Sequence, residues 1–259
     1  MESLRLIVLG MIQGLTEFIP VSSSAHLILV RNFLGWEDMG LSVDMVLHLG
    51  TLLALIVYMW RDWYEILTEK RNILVLVIIA TIPGAILGFL LEGMAESYFR
   101  SLLVIGLAMS IFGIILFEAD RKSLHNRTLN MMGLKDAIAI GLSQAMAIIP
   151  GISRSGATLT GAFLCNIKRE DSARFSFLLS VPMIGGAGLV SLLKMFKGVS
   201  SSVSASSMLL GLVSSFIFGY LAVHFMLSYL KRYNTNIFVY YRLVLGIFLI
   251  IVSLFKPGG

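Results

Sequence analysis

The chain has 259 residues, 57% of them hydrophobic and only 14% charged, with a mean hydropathy of +0.89. Soluble domains run at about 45–50% apolar and about 25% charged, so composition excludes that class, along with disordered chains. A single cysteine, Cys165, excludes a disulfide scaffold. The net charge of +5 does not mark a nucleic-acid partner, because the basic residues sit in short loops between apolar segments. Those segments are continuous and do not alternate as barrel strands would, so the chain reads as an all-α, polytopic integral membrane protein whose first partner is the lipid bilayer.

At the N-terminus, Leu4 to Met11 is a short apolar core and Ser22 to Ala25 resembles a cleavage region. Glu2, Gln13, Thr16 and Glu17 interrupt what a signal peptide would keep apolar, so the segment reads as retained. It continues to Val30 as a broken apolar stretch, cut by Gln13, Glu17, Pro20 and three serines. Spans of crossing length follow at about 42–60, 72–92 and 101–117, separated by polar connectors at Arg61–Arg71 and Gly93–Arg100. After the connector Glu118–Lys135 comes a second broken stretch, Ala137–Cys165, cut by Gln144, Pro150, Gly151, Ser153, Arg154 and Ser155. Three more spans lie at about 175–193, 208–230 and 241–256, with connectors at Asn166–Arg174 and Lys194–Ser207. The serine-rich run Ser200–Ser207 reads as a loop without chemistry. Each broken stretch is too short in either half to cross and is polar at its centre, which suits a re-entrant helical hairpin. The expectation is therefore ten helices: four hairpin arms and six spans.

The two broken stretches look like copies. Gly10 and Gln13 match Gly141 and Gln144 at an offset of 131, while Pro20 and Ser23 match Pro150 and Ser153 at 130. Each is followed by three spans, so the chain reads as one membrane domain built from a repeat at about 1–117 and another at about 135–256. Three crossings is an odd number, so the second copy enters inverted. With the N-terminus on one side, that side holds six basic residues: Arg5, Arg31, Arg100, Lys194, Lys197 and Lys256. Thirteen lie on the other, Arg242 among them, and the twentieth, Arg154, falls inside the second hairpin. The basic side should be cytoplasmic, placing both termini outside in a plasma membrane and letting the hairpin tips meet near the midplane.

Charge at membrane depth is costly, which makes Glu17, His26 and Arg154 candidates for function; the competing reading is a Glu17–Arg154 bridge that only locks the hairpins. Gln13 and Glu17 share a helical face. Pro20 breaks the first hairpin, Ser22, Ser23 and Ser24 can cap its second arm, and His26 lies one turn in. Pro150–Gly151 breaks the second hairpin and Ser153 caps an arm that starts with Arg154. Two helix N-termini and an arginine fork aimed at one place make an anion site, suited to phosphate. Ser23 could attack phosphorus with Glu17 or His26 taking its proton. Glu17 could instead hold a divalent cation with Gln13 and the phosphates. For the serines, capping and nucleophilic roles both stand.

QGLTEFIPVSSSAH and PGISRSGAT carry a resemblance to the glutamate-rich and PGxSRSxxT motifs of the bacitracin-resistance family of undecaprenyl diphosphate phosphatases. FSFLLSVPM at Phe175–Met183 and the apolar layout extend it over essentially the whole chain. The resemblance implies a hydrolase that removes the terminal phosphate of a polyprenyl diphosphate lipid, regenerates the carrier for cell-wall synthesis and confers bacitracin resistance. It also implies an inverted-repeat fold and dependence on a divalent cation (Mg2+ or Ca2+); the topology itself, with the first hairpin entering from outside, predicts a site between the tips that opens outward. Carried over by position, Glu17, Ser23, His26, Ser153, Arg154 and Thr158 match the polar positions of the two motifs; together with the residue chemistry this makes Glu17, Ser23, His26 and Arg154 the expected catalytic residues, Ser22, Ser153, Arg154, Ser155 and Thr158 the expected substrate-binding residues, and Gln13 and Glu17 the expected metal ligands. The motif has glutamate or glutamine at its first position and this chain has Gln13, an amide that can ligate a metal but cannot act as a base, which tells against any mechanism needing two carboxylates there; Ala25 departs from a common glycine. Lipid phosphatases with a histidine nucleophile need a histidine six residues after the arginine, and Thr160 stands there, so that class is excluded. The alternative from another class is a transporter or flippase of the same lipid, since inverted repeats with broken helices are common in transporters. Serine, histidine and carboxylate converging on one anion site favour the enzyme. The oligomeric state, including a homodimer, stays open.

Overall fold

A computed structural model describes residues 2–96, 98–196 and 203–255 and is helical throughout apart from one isolated bridge. The first hairpin is α1 (Glu2–Phe18) and α2 (Ser23–Leu34), followed by α3 (Leu41–Tyr58), α4 (Trp60–Thr68), α5 (Arg71–Glu96) and α6 (Leu102–Lys122). The second is α7 (Leu134–Ala145) and α8 (Arg154–Leu164), followed by α9 (Arg169–Phe196), α10 (Ala205–Leu230) and α11 (Asn236–Phe255). Among the described residues α5, α6, α9, α10 and α11 are long and apolar enough to cross a membrane, and α3 with α4 makes a sixth only as a pair bent by 68°.

That bend is one correction to the sequence reading. The connector expected at Arg61–Arg71 is a further helix, α4, so the described residues hold eleven α-helices where ten were expected. Its Trp60, Tyr64 and Leu67 lie on one face and are exposed, as in a helix resting in a membrane interface. Likewise α6 runs on to Lys122 and α9 begins at Arg169, inside expected connectors, because a charge ends the apolar span without ending the backbone ladder. Lys197, Lys256 and Ser200–Ser202, used in the charge count and the loop assignment, lie outside the described residues.

The packing of the two halves corresponds. α1 lies along α10 as α7 lies along α5; α3 packs on α10 as α9 packs on α5; α6 meets α11, and α3 meets α9. Small residues permit the close approaches, as expected where helices meet in lipid. A Cβ on Gly10 would stand 2.4 Å from the Gly211 carbonyl oxygen, and one on Gly141, its counterpart 131 residues on, 2.7 Å from that of Ala80. The hairpin turns also correspond, and here the structure corrects the alignment. Ser22 (φ 77°) and Ser153 (φ 70°) both precede a helix in a left-handed conformation unusual for serine, so Ser22, rather than Ser23, is the partner of Ser153. The offset of 131 thus holds through the tips, and Ser23 corresponds to Arg154.

At the end of the fold where α6 stops, the buried Asp120 carboxylate gathers three segments. It accepts from Arg169 Nε at 2.6 Å, and from the Thr235 N–H and hydroxyl at 2.7 Å each. His125 Nε2 reaches its Oδ1 at 3.1 Å and its main-chain oxygen at 3.0 Å, while His125 Nδ1 donates to the Ile167 carbonyl at 3.1 Å. Both ring nitrogens face acceptors, which the imidazolium alone can satisfy. Burial opposes the charge, but the Asp120 carboxylate and the two carbonyls outweigh it and hold His125 above its ordinary value. Stability from a raised histidine is full below its unfolded-state value and is lost as pH rises through the folded-state one. The unfolding midpoint in detergent should therefore exceed that of His125→Gln most near about pH 6 and least near about pH 9. A gap that stays flat or widens would remove the ion pair from His125.

Candidate functional site at the hairpin tips

α1 carries Gln13 and Glu17 one turn apart on a buried face, and Gln13 Nε2 donates to Glu17 Oε2 at 3.0 Å. Pro20 ends that arm, and the chain turns through Val21 and Ser22 into α2. Ser23, first residue of α2, donates its hydroxyl to the same Glu17 oxygen at 2.5 Å. The other carboxylate oxygen takes Arg154 Nη2 at 2.9 Å, across from the second hairpin. Arg154 Nη1 donates to the buried Ser180 hydroxyl on α9. The Glu17–Arg154 bridge therefore exists, and both of its members also face open space.

That space is a cavity of about 570 Å³ between the tips and the facing halves of α3 and α9. Glu17, Ser22, Ser23, Ser153 and Arg154 form its polar head, and Met45, Leu49 and Leu52 with Met183, Ile184 and Leu189 form an apolar continuation. The tips are bonded to each other: the Gly151 N–H donates to Ser22 Oγ at 3.0 Å, and Ser155 Oγ donates to the Ile19 carbonyl at 3.2 Å. Ser153 caps α8 as expected, accepting from the Gly156 N–H at 3.2 Å, whereas Ser22 makes no side-chain cap to α2 and uses its hydroxyl on the opposite hairpin. The first N–H groups of α2 and α8 thus open on one cavity, an arrangement that receives an anion.

Four other expected site residues contact the residues of the cavity without lining it themselves. Gln13 is fully buried behind Glu17, and its Oε1 has no partner. The His26 ring is occupied at both nitrogens: Nδ1 donates to the Ser22 carbonyl at 2.7 Å and Nε2 meets the Tyr241 hydroxyl at 2.6 Å, with the two rings stacked. Ser155 bridges the hairpins through Ser153 Oγ and Ile19. Thr158 bonds back to Arg154 and Ser155 carbonyls and to Ser176 Oγ at 2.6 Å. None of these four lines the cavity.

Three residues that sequence reasoning passed over line the cavity or bond to the residues around it. His48 lines the cavity with Nε2 3.8 Å from Glu17 Oε2, and its Nδ1 donates to the Asp44 carbonyl at 2.7 Å. That bond orients the ring, so that Nε2 is directed at Glu17. His48 sits within a predicted span, where the rule that singled out Glu17 would also have found it. Ser180, inside FSFLLSVPM, holds Arg154. Arg242 corrects the charge count, which had placed it on the cytoplasmic side. α11 begins at Asn236, so Arg242 stands about 9 Å along the helix, fully buried against the hairpin tips.

The family model described as "Bacitracin resistance protein BacA" matches residues 6–248. Proteins named undecaprenyl-diphosphatase align over nearly the full chain. The one from Desulforudis audaxviator is 45% identical over 96% of this chain and 97% of its own length. That from Pelotomaculum thermopropionicum is 40% identical over the whole of both chains, and that from Moorella thermoacetica 43% identical over 97% and 98%. With a family model covering most of its length and full-length relatives well above 30% identity, the chain belongs to the BacA bacitracin-resistance family.

Proposed function

We propose that the protein is a membrane hydrolase that converts undecaprenyl diphosphate to undecaprenyl phosphate and inorganic phosphate, returning the carrier lipid to envelope glycan synthesis and conferring bacitracin resistance. The observation that carries this reading is the Ser23–Glu17–Arg154 constellation at the head of an apolar cavity. A carrier needs only groups that bind; a serine hydroxyl already donating to a buried carboxylate is the arrangement of a nucleophile with its base.

In the free protein Arg154 and Ser23 share Glu17. A terminal phosphate entering the cavity competes for the Arg154 fork and draws it from the carboxylate. Glu17, relieved of its cation, becomes a stronger base toward the Ser23 proton it already holds. Ser23 Oγ bonds to the terminal phosphorus as the P–O bond to the inner phosphate breaks; undecaprenyl phosphate departs with that electron pair and Glu17 keeps the proton. Water then attacks the phosphorus of the phosphoserine, its proton passing to His48 Nε2 and on to solvent; the Oγ–P bond breaks, Ser23 Oγ takes back the proton held by Glu17, and inorganic phosphate leaves. The N–H groups opening α2 and α8 face the charge that develops on the phosphoryl oxygens. His26, with both nitrogens bonded, orients the start of α2 through Ser22.

Gln13 Oε1 is a buried oxygen without a partner next to Glu17, which supports these two as the residues that would hold Mg2+ or Ca2+, Glu17 being the one of the pair that faces the cavity. Bound there, the cation would neutralise charge on the diphosphate. The cavity draws on the first half of α3 and the second half of α9. In the topology with both termini outside, those halves face outward, which supports substrate entry from the outer leaflet.

Phosphate release from undecaprenyl diphosphate by the purified protein, with and without EDTA, tests the reading. Arg154→Ala and Ser23→Ala should each lose at least about a hundredfold, as when a contact to transition-state charge is removed. Activity within a few-fold of wild type in Arg154→Ala would displace the site, and EDTA-resistant release would take the metal from Gln13 and Glu17. The tail path has its own test. A Cβ on Gly185 would have only Leu52 Cδ2 within reach, at 3.9 Å, so Gly185→Phe has room to project into the apolar part of the cavity. It should raise KM for the undecaprenyl substrate about tenfold, near 1.4 kcal/mol, and leave kcat within about threefold; an unchanged KM would place the prenyl chain elsewhere.

A further inference from the structure

Arg242 is the most deeply buried cation in the described chain, and it bonds to no carboxylate. Its guanidinium is spent entirely on main-chain carbonyls. Nη1 donates to Pro20 at 3.3 Å, Nη2 to Gly151 at 3.0 Å and Ile152 at 2.8 Å, and Nε to Met109 at 3.3 Å. One planar group therefore holds the tips of both hairpins and ties them to α6. Among the residues of α8, Gly156 makes room for it: a Cβ there would stand 2.7 Å from Arg242 Nη1.

A trans peptide points its N–H opposite to its C=O, so whatever grips the carbonyls also sets the direction of the amides. The amide paired with the Pro20 carbonyl, that of Val21, returns to Ile19 at 2.7 Å; the one paired with Gly151, that of Ile152, returns to Ile149 at 3.2 Å. The third, paired with Ile152, belongs to Ser153, the residue that lines the cavity and opens α8. No described group accepts from it. We propose that Arg242 is a positioning residue of the hydrolysis: it locks the two tips in register and turns the Ile152–Ser153 peptide so that the Ser153 N–H faces the phosphoryl oxygens. The arginine touches no reacting atom; it acts through the backbone it holds. A point charge in its place keeps the electrostatics and loses the fork that reaches several carbonyls at once.

This inference rests on the hairpin-tip site, and the experiment separates the two. The full-length protein in detergent carries Arg242→Lys, Gly156→Ala or Arg154→Ala, and kcat, KM and the unfolding midpoint are measured for each with undecaprenyl diphosphate. Arg242→Lys should lower kcat about thirtyfold or more, the scale of a small displacement of reacting groups, with KM within about threefold. Gly156→Ala favours helix locally but presses on the guanidinium, so it tests the same device with Arg242 in place. It should lower kcat about tenfold with the unfolding midpoint unchanged to within a few degrees. A kcat within threefold of wild type in either folded variant overturns the proposal, as does a loss in Gly156→Ala that appears as a lower midpoint with normal kcat per folded molecule. If Arg154→Ala alone keeps full activity, the tip site itself is what fails.

Discussion

A helical hairpin that turns back inside an apolar layer exposes carbonyls and amides where no water can satisfy them, and each such group costs several kcal/mol if left alone. The fold answers this by bringing two such hairpins to one point. Gly151 finds its acceptor in Ser22, Ser155 finds Ile19, and the carbonyls of Pro20, Gly151 and Ile152 all find Arg242. Neither tip is self-sufficient. The long helices exist, in this sense, to hold the tips together: α10 carries α1 and α5 carries α7, each through glycines that let backbones touch.

Once the tips are joined, chemistry follows from what is left over. After the turn residues have satisfied one another, the groups left facing the cavity are the Ser23 hydroxyl, Glu17 and the Arg154 fork, bonded to one another, beside the start of α2 and α8. The halves correspond in packing but differ in these residues. Where the first hairpin has Glu17, the second has Ile148, and where the first has Ser23, the second has Arg154. Corresponding scaffolds carrying different side chains bring acid, hydroxyl and guanidinium to one spot without any of them being neighbours in sequence. The nearest approach, Ser23 to Glu17, still bridges the Pro20 break.

Much of this was legible before the structure. Hydropathy runs located the spans, and the broken stretches at Pro20 and Pro150 revealed the hairpins, because a proline followed by serines stops a helix before it is long enough to cross. The motif offset showed a correspondence but misaligned it by one at the tip. Prolines were matched to each other, whereas backbone conformation, which sequence does not display, pairs Ser22 with Ser153. α4 was hidden because composition reports where a membrane ends, not where a helix does. His26 drew attention as a polar residue beside the serines, yet helical geometry turns it onto Tyr241, a partner 215 residues away. Arg242 was unreadable for the opposite reason: at the edge of an apolar run an arginine looks like a loop charge, and only the earlier start of α11 carries it inside.

The charges around the tips also explain which ligand belongs there. Within the buried region Glu17 carries one negative charge and Arg154 and Arg242 one positive charge each, leaving an excess of one in surroundings of low dielectric. An excess cation at that depth is tolerated because carbonyl dipoles surround Arg242, but it remains a standing attraction for an anion. A carboxylate would satisfy it alone. A lipid diphosphate brings about three negative charges near neutral pH, more than the tips can neutralise. Gln13 sharpens the imbalance: glutamate there would cancel the excess and leave the tips neutral, whereas the amide keeps it while still offering an oxygen. In the proposed site, a divalent cation held beside Glu17 would, together with the protein's own excess, match the charge of the diphosphate, and after cleavage neither product alone would. The charge balance proposed to draw the substrate in would therefore weaken the hold on both phosphates once the bond between them is broken.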